Sequence, residues 1–293
     1  MAETTNIAWT DSTMNPWIGC SKVSPGCDHC YAEGEAKRRG WAKWGPGEPR
    51  MLTSANYWKQ PLIWDRKAKA AGKRHRVFCA SLADVFDNEV PDGWRVRLLN
   101  LIDATPNLTW LLLTKRIGNA AKMLPRDPLP NVWLGASVVN QEEADRDIPK
   151  LLATPAVIRF ISYEPALGPI DLTPYLEIGH PDRGLGSPAL DWTICGGESG
   201  PGARPMHPNW ARDVRDQCKD AGVPFFFKQW GEYVGGGRGQ NGWHHYHDNT
   251  WSPNADHDFG DGCVALRVGK KKADNVLDGA RHMEFPFAMK EAA

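Results

Sequence analysis

Six short runs of apolar, β-branched and aromatic residues punctuate this chain, and the segments between them carry helical patterns. The runs are Arg76–Ser81, Leu108–Thr114, Val132–Ser137, Val157–Ser162, Trp192–Gly196 and Pro224–Lys228. Helical patterns span Gly93–Ala104, Gln141–Ala153 and Asn209–Ala221. Strands that are apolar nearly throughout must be covered on both faces, so this alternation predicts a parallel sheet flanked by helices. With a further short strand at Ile7–Thr10, about six to seven βα units can be counted, which favours an α/β, (β/α) barrel-like fold, a partial TIM barrel, over an open doubly wound sheet.

In either architecture the site lies at the C-terminal ends of the strands. The polar residues there are Ser81, Asp84, Thr114, Lys115, Arg116, Ser137, Ser162, Glu164, Glu198, Lys228 and Gln229. The rhythm carries residues 1–232, with a basic, tryptophan-bearing insert at about 44–74, and it stops over 233–293. That last stretch reads as a C-terminal extension packed on the barrel. Within it, Gly235–Gly242 predicts a flexible or tight loop, and the His244–His257 segment reads as a polar surface loop. Its basic run Lys270–Lys272 is suited to touching a substrate phosphate.

Lysine plus arginine and aspartate plus glutamate stand at 35 each, so no global field draws the protein to nucleic acid or to an acidic membrane. Any such binding must be local. The best candidate is the insert, where Lys59, Arg66, Lys67, Lys69, Lys73, Arg74 and Arg76 are interleaved with Trp58 and Trp64; a solvated helix face with ordinary packing tryptophans is the plainer reading. No run approaches the length of a membrane span, and the N-terminus has neither a basic nor an apolar leader region. The expectation is a cytoplasmic protein without a membrane partner.

The seven cysteines have no regular spacing outside one place, which argues against a disulfide framework and for a reducing compartment. That place is a loop holding Cys20, Cys27 and Cys30 within eleven residues. Gly19, Pro25 and Gly26 supply sharp turns, and a helix is expected from Tyr31 to Lys43. Three neighbouring thiolates suit one face of a metal or iron–sulfur cluster with a coordination position left open. A structural zinc with His29 or a distant cysteine as fourth ligand is the alternative.

The loop resembles the cluster-binding loop of radical S-adenosylmethionine (SAM) proteins, especially those of the spore photoproduct lyase type. The resemblance rests on Asn15-Pro16-Trp17-Ile18-Gly19-Cys20 followed by Cys27-Asp28-His29-Cys30-Tyr31-Ala32. It departs in two places: six residues separate Cys20 from Cys27 where that superfamily usually has three, and His29 stands where an aromatic is usual. The longer loop, with the later Gly-Gly-Glu, Phe-Lys-Gln-Trp-Gly and Val-Gly-Lys-Lys stretches, is similar to an uncharacterised phage and bacterial three-cysteine-motif family.

The resemblance implies a [4Fe–4S] cluster held by Cys20, Cys27 and Cys30, with the fourth iron left for the amino and carboxylate groups of SAM and a reductant protein to deliver the electron that cleaves it. It implies an enzyme, a lyase or transferase of the radical SAM type. The superfamily's Gly-Gly-Glu closes the second strand, whereas Gly196-Gly197-Glu198 follows the sixth strand here, so its role is not carried over. Ser81 and Asp84 stand at the second strand end instead, as acceptors for the SAM ammonium, and Ser137 is placed to meet its carboxylate or ribose. Lys115, Glu164 and Glu198 are the candidates for acting on substrate. The insert and the likeness to the lyase point to a nucleic acid or nucleotide substrate. Two rival readings are a zinc-stabilised nucleic-acid-binding protein without radical chemistry, and a hydrolase or transferase whose acids and lysines act without any cluster.

Overall fold

The computed structural model describes residues 5–177, 188–239, 242–246, 250–252 and 254–286. They divide into two compact units, Met1–Ala136 with Ala153–Arg159, and Ser137–Leu152 with Phe160–Ala293.

The first unit contains, in order, β1 (Ser12–Thr13), β2 (Trp17–Ile18), α1 (Tyr31–Arg39), β3 (Met51–Leu52), α2 (Gln60–Ala71), β4 (His75–Cys79), α3 (Asp92–Asp103), β5 (Leu108–Thr114), α4 (Ile117–Met123) and most of β6 (Val132–Val138). Strands β1, β4, β5 and β6 pair in parallel in that order. Leu108, Trp110, Leu111 and Leu112 of β5 are all fully buried, as a strand with both faces covered requires. A separate antiparallel ladder joins β2 to β3.

Three features differ from what the sequence predicts. The first strand is Ser12–Thr13, not Ile7–Thr10, because the earlier residues close a turn in which the Thr10 N–H donates to the Ile7 carbonyl (3.2 Å). Helix α1 stops at Arg39 rather than Lys43, because Gly40 turns left-handed (φ 63°) and its N–H closes on the Ala36 and Lys37 carbonyls. Trp58 and Trp64 are only 4% and 2% exposed, so neither offers a face for stacking. Arg97 covers the Trp58 ring at 4.1 Å and His75 lies 5.9 Å from Trp64.

The second unit contains most of α5 (Gln141–Ala153) and of β7 (Ile158–Tyr163), then α6 (Thr173–Leu176), β8 (Trp192–Gly196), α7 (Pro208–Asp220), β9 (Phe225–Gln229), β10 (Tyr233–Gly239), β11 (Gly242–His245), β12 (Trp251–Ser252), β13 (His257–Asp258), β14 (Cys263–Arg267) and α8 (Lys270–Ala273). Strands β7, β8 and β9 are parallel neighbours. Helix α7 buries Ala211, Val214 and Cys218, a stripe at helical spacing. The segment that follows α8 returns to β9, where the Phe227 N–H donates to the His282 carbonyl (2.9 Å) and the Glu284 N–H to the Phe225 carbonyl (3.2 Å).

Strands β12, β11, β10, β14 and β13 form an antiparallel sheet in that order. The glycine run expected to be a loop is therefore mostly strand β10. Its glycines are there because neighbours press on it: a β-carbon on Gly235 would stand 2.7 Å from Pro208 Cβ, and one on Gly237 would stand 2.2 Å from the Tyr246 hydroxyl. The end of that run, Gln240 and Asn241, lies outside the described residues, as do His247 and Asp248.

In each unit the parallel strands follow one another in chain order, with helices between them. That sequential order is the partial-barrel arrangement, since a doubly wound sheet reverses direction at a switch point. The fold is an α/β partial barrel whose two units supply seven parallel strands. Among the described residues no helix is long and apolar enough to cross a membrane.

Candidate metal centre

The cysteine loop is sewn to the loop that follows β4. The Asn15 side chain donates from Nδ2 to Ser81 Oγ (3.1 Å), and its Oδ1 accepts the Leu82 N–H (2.8 Å). The Gly19 N–H donates to the Leu82 carbonyl (3.1 Å), and Gly19 bridges Ala83 in parallel fashion. Gly19 must be glycine: its φ is 115°, and a β-carbon would press on Arg50 Cδ at 3.1 Å. These bonds set Cys20 at the C-terminal ends of β4 and β5.

Cys20 meets the guanidinium of Arg116, the second residue beyond β5. Arg116 Nη1 lies 3.2 Å from Cys20 Sγ, and Nη2 donates to the Ser21 carbonyl (2.8 Å) and hydroxyl (2.9 Å). Burial pushes the Cys20 thiol up to about 11, with the Arg116 charge working against that rise. The acids Asp84 and Asp87 back the guanidinium at 3.4 and 3.9 Å and hold it charged.

Beyond Cys20 a 3₁₀ turn, Pro25–Cys27, is capped by Ser24, whose hydroxyl accepts the Gly26 N–H (3.1 Å). Cys30 then stands at the N-cap of α1. Burial raises its thiol, and the backbone N–H groups of Glu33 and Ala32 pull it back down, as a helix N-terminus does for any anion. Lys115 adds positive charge toward the same sulfur, and Cys27 is an electrostatic neighbour. Cys30 and the partly buried Trp41 and Trp44 pack on Ile18, Ala32, Ala36 and Leu82. Trp41 and Trp44, with Lys37, Lys43, Glu33 and Glu48, line an open groove on that side of α1.

None of the three thiols is in a disulfide, and all are partly exposed. The donor set is three sulfurs on one short segment, met by an arginine, a lysine and a helix N-terminus. An ion's own charge deprotonates the thiols that coordinate it, so these buried, raised thiols still fit a cluster, with Arg116 and Lys115 offsetting its negative charge.

Ser81 and Asp84 come to this site, but as its framework. Ser81 is held by Asn15, and its carbonyl accepts the Tyr31 hydroxyl (3.0 Å). Asp84 accepts from Thr114 Oγ1 (2.7 Å), the Phe86 N–H (2.9 Å), the Lys115 N–H (3.0 Å) and Arg116, so its carboxylate is already filled. Arg116 is one of eleven polar strand-end residues in the sequence, where nothing marks it as the neighbour of a cysteine.

In the second unit, Glu164, Lys228 and Gln229 converge. Lys228 Nζ donates to both Glu164 oxygens (2.8 and 2.9 Å), and Gln229 Nε2 donates to one of them (3.1 Å). The Ser137 hydroxyl donates to the Glu164 carbonyl (3.2 Å). Glu198 is buried and committed elsewhere: Arg204 takes its two oxygens at 2.9 and 2.7 Å, and the Arg204 N–H adds a third bond at 2.8 Å. It anchors the loop after β8.

His207, Asp261 and Cys263 bring their donor atoms within 4.8 Å of one another. His207 caps α7, with Nδ1 accepting the Asn209 N–H (3.1 Å), and this leaves the proton on Nε2, 3.0 Å from Asp261 Oδ2. A ring engaged at both nitrogens offers an ion no lone pair, so the grouping serves as a helix cap.

The family described as "Protein of unknown function (DUF5131)" matches residues 4–286. No curated protein matches the chain. Among solved structures, a spore photoproduct lyase variant with bound AdoMet and dinucleoside spore photoproduct is similar at 11% identity and a TM-score of 0.41. That likeness covers 78% of this chain, which spans 61% of the lyase chain.

Proposed function

This chain belongs to the DUF5131 family of proteins of unknown function, and from its own site we propose a radical SAM-like iron–sulfur enzyme that reductively cleaves SAM to act on a nucleic acid or nucleotide. The observation that carries this reading is the seating of the cysteine loop at the ends of β4 and β5, with Arg116 on Cys20 and the α1 N-terminus at Cys30. Cys20, Cys27 and Cys30 would hold a [4Fe–4S] cluster, which when bound supplies one electron for cleaving SAM.

The chain's own residues do the rest. Asn15 and Ser81 fix the loop, Asp84 and Arg116 set Cys20, and Lys115 adds charge beside Cys30. In the second unit, Lys228 and Gln229 hold the Glu164 carboxylate, and Ser137 fixes its backbone; Glu164 is the acid assigned to the substrate step. The nucleotide part of the reading leans on the aromatic surface of Trp41 and Trp44 in the groove beside the cysteine loop, whose lining balances Lys37 and Lys43 against Glu33 and Glu48. The setting is a reducing compartment with a reductant protein as partner.

The test is purification without oxygen, followed by measurement of iron, sulfide and zinc and of visible absorption. Iron and sulfide in cluster proportion, then 5′-deoxyadenosine on adding SAM and reductant, are expected. Stoichiometric zinc without sulfide overturns the reading.

A further inference from the structure

Arg116 is held more firmly than a loop clasp needs. Its side chain is 9% exposed, and it carries the carboxylates of Asp84 and Asp87 behind it. Asp84 is itself fixed by Thr114, Phe86 and Lys115, and Asp87 by the fully buried Arg50 at 2.8 Å. Thr114 Oγ1 accepts the Arg116 N–H as well (2.8 Å). Such backing leaves the fork of the guanidinium one orientation, toward the loop.

The fork makes two kinds of contact there. Nη2 bonds the Ser21 carbonyl and hydroxyl, which clasps the backbone. Nη1 bonds Cys20 Sγ at 3.2 Å, a contact that adds little to the clasp but acts directly on the sulfur's electrons. An N–H donated to a ligand thiolate withdraws charge from it and stabilises the more negative, reduced cluster, so it raises the reduction potential.

We propose that Arg116 is a positioning residue that sets the reduction potential of the cluster through its bond to Cys20, an inference that rests on the cluster reading above. Lysine cannot reproduce the role, because a single ammonium cannot bond Asp84, Ser21 and the sulfur in the same planar arrangement.

The experiment compares wild-type protein, Arg116→Gln, Arg116→Lys and Ser21→Ala, each purified without oxygen. Iron and sulfide are quantified, and the potential is read by redox titration followed in the electron paramagnetic resonance signal. The expected result is a shift to more negative potential in R116Q, a smaller shift in the same direction in R116K, and a wild-type potential in S21A. Loss of the cluster from both Arg116 variants overturns the proposal, since holding the loop is then what Arg116 does. Unchanged potential in loaded R116Q, or a shift in S21A equal to that in R116Q, also overturns it. Wild-type protein without iron and sulfide overturns the cluster reading and this inference together.

Discussion

Gly197 and Trp230 meet backbone to backbone: a β-carbon on Gly197 would stand 2.0 Å from the Trp230 carbonyl oxygen. The approach is mutual, since one on Gly231 (φ 87°) would stand 2.1 Å from the Glu198 carbonyl oxygen. Bonds from the Gly197 N–H to the Gln229 carbonyl (2.9 Å) and from the Glu232 N–H to the Glu198 carbonyl (3.0 Å) lock the two strand ends together. The Gly-Gly-Glu run thus has a packing reason where β8 and β9 end. Gly197→Ala is expected to lower the unfolding free energy by about 2–3 kcal/mol, because backbone rather than a flexible side chain must give way. Urea unfolding reads this as a lower midpoint; a variant as stable as wild type would falsify it.

Replacing Cys20, Cys27 or Cys30 singly by alanine is expected to abolish stoichiometric iron and sulfide while leaving the far-ultraviolet circular dichroism unchanged. Cys218→Ala keeps both. Thiol accessibility separates the same groups: Cys79, Cys195 and Cys218 are buried, and burial pushes the Cys218 thiol up to about 12. Iodoacetamide on native apoprotein is expected to spare these three and to reach all seven cysteines only in denaturant. Rapid native labelling of Cys195 would contradict this burial.

Glu164→Gln keeps the shape of the side chain and the bond from Gln229 but removes the charge that meets Lys228. If Glu164 acts on substrate, product formation falls about 100-fold, the lower range for a lost acid–base group. Iron content should stay at the wild-type level. Equal turnover in the variant removes Glu164 from the reaction.

Asp11 links the short β1 region to β4. Burial pushes its carboxyl up, and Arg76 more than offsets this by donating its backbone N–H (2.8 Å) and its guanidinium (3.1 Å), so the group titrates below its ordinary 3.8. A folded pKa below the unfolded one stabilises the fold above the unfolded value and loses that contribution as pH falls through the folded value. Both side chains are partly in water, so the contribution is about 0.5 kcal/mol. Urea midpoints of wild type and Asp11→Asn should differ at about pH 6 and converge as pH falls below 3.8 and through the folded value. A difference that persists undiminished in acid points to some other cause.

The parallel strands were legible because burial on both faces leaves near-continuous apolar runs, as in Leu108–Thr114 and Val132–Val138. β1 was not, since Ser12–Thr13 is two polar residues placed by pairing with Val77 and Phe78. β10 was hidden for the opposite reason: glycine reads as a loop until Pro208 and Tyr246 are seen to occupy the space a side chain would fill. The cysteines stood out by density alone. Their surroundings did not, because Arg116 reaches Cys20 across 96 residues of chain and only the meeting of two strand-end loops makes them neighbours.

The residues between Cys20 and Cys27 form a span slung between two fixed posts. At one end Gly19 and Ser21 are moored to Leu82 and Arg116, and at the other Cys30 opens α1. A count of residues between cysteines therefore measures the length of the turn that joins them, not the separation of its anchorages. Signatures that prescribe a single interval will pass over chains that moor their sulfurs in this way; a search keyed to the moorings, the Asn-Pro lead and an arginine two residues past the third strand of the parallel order, would gather them.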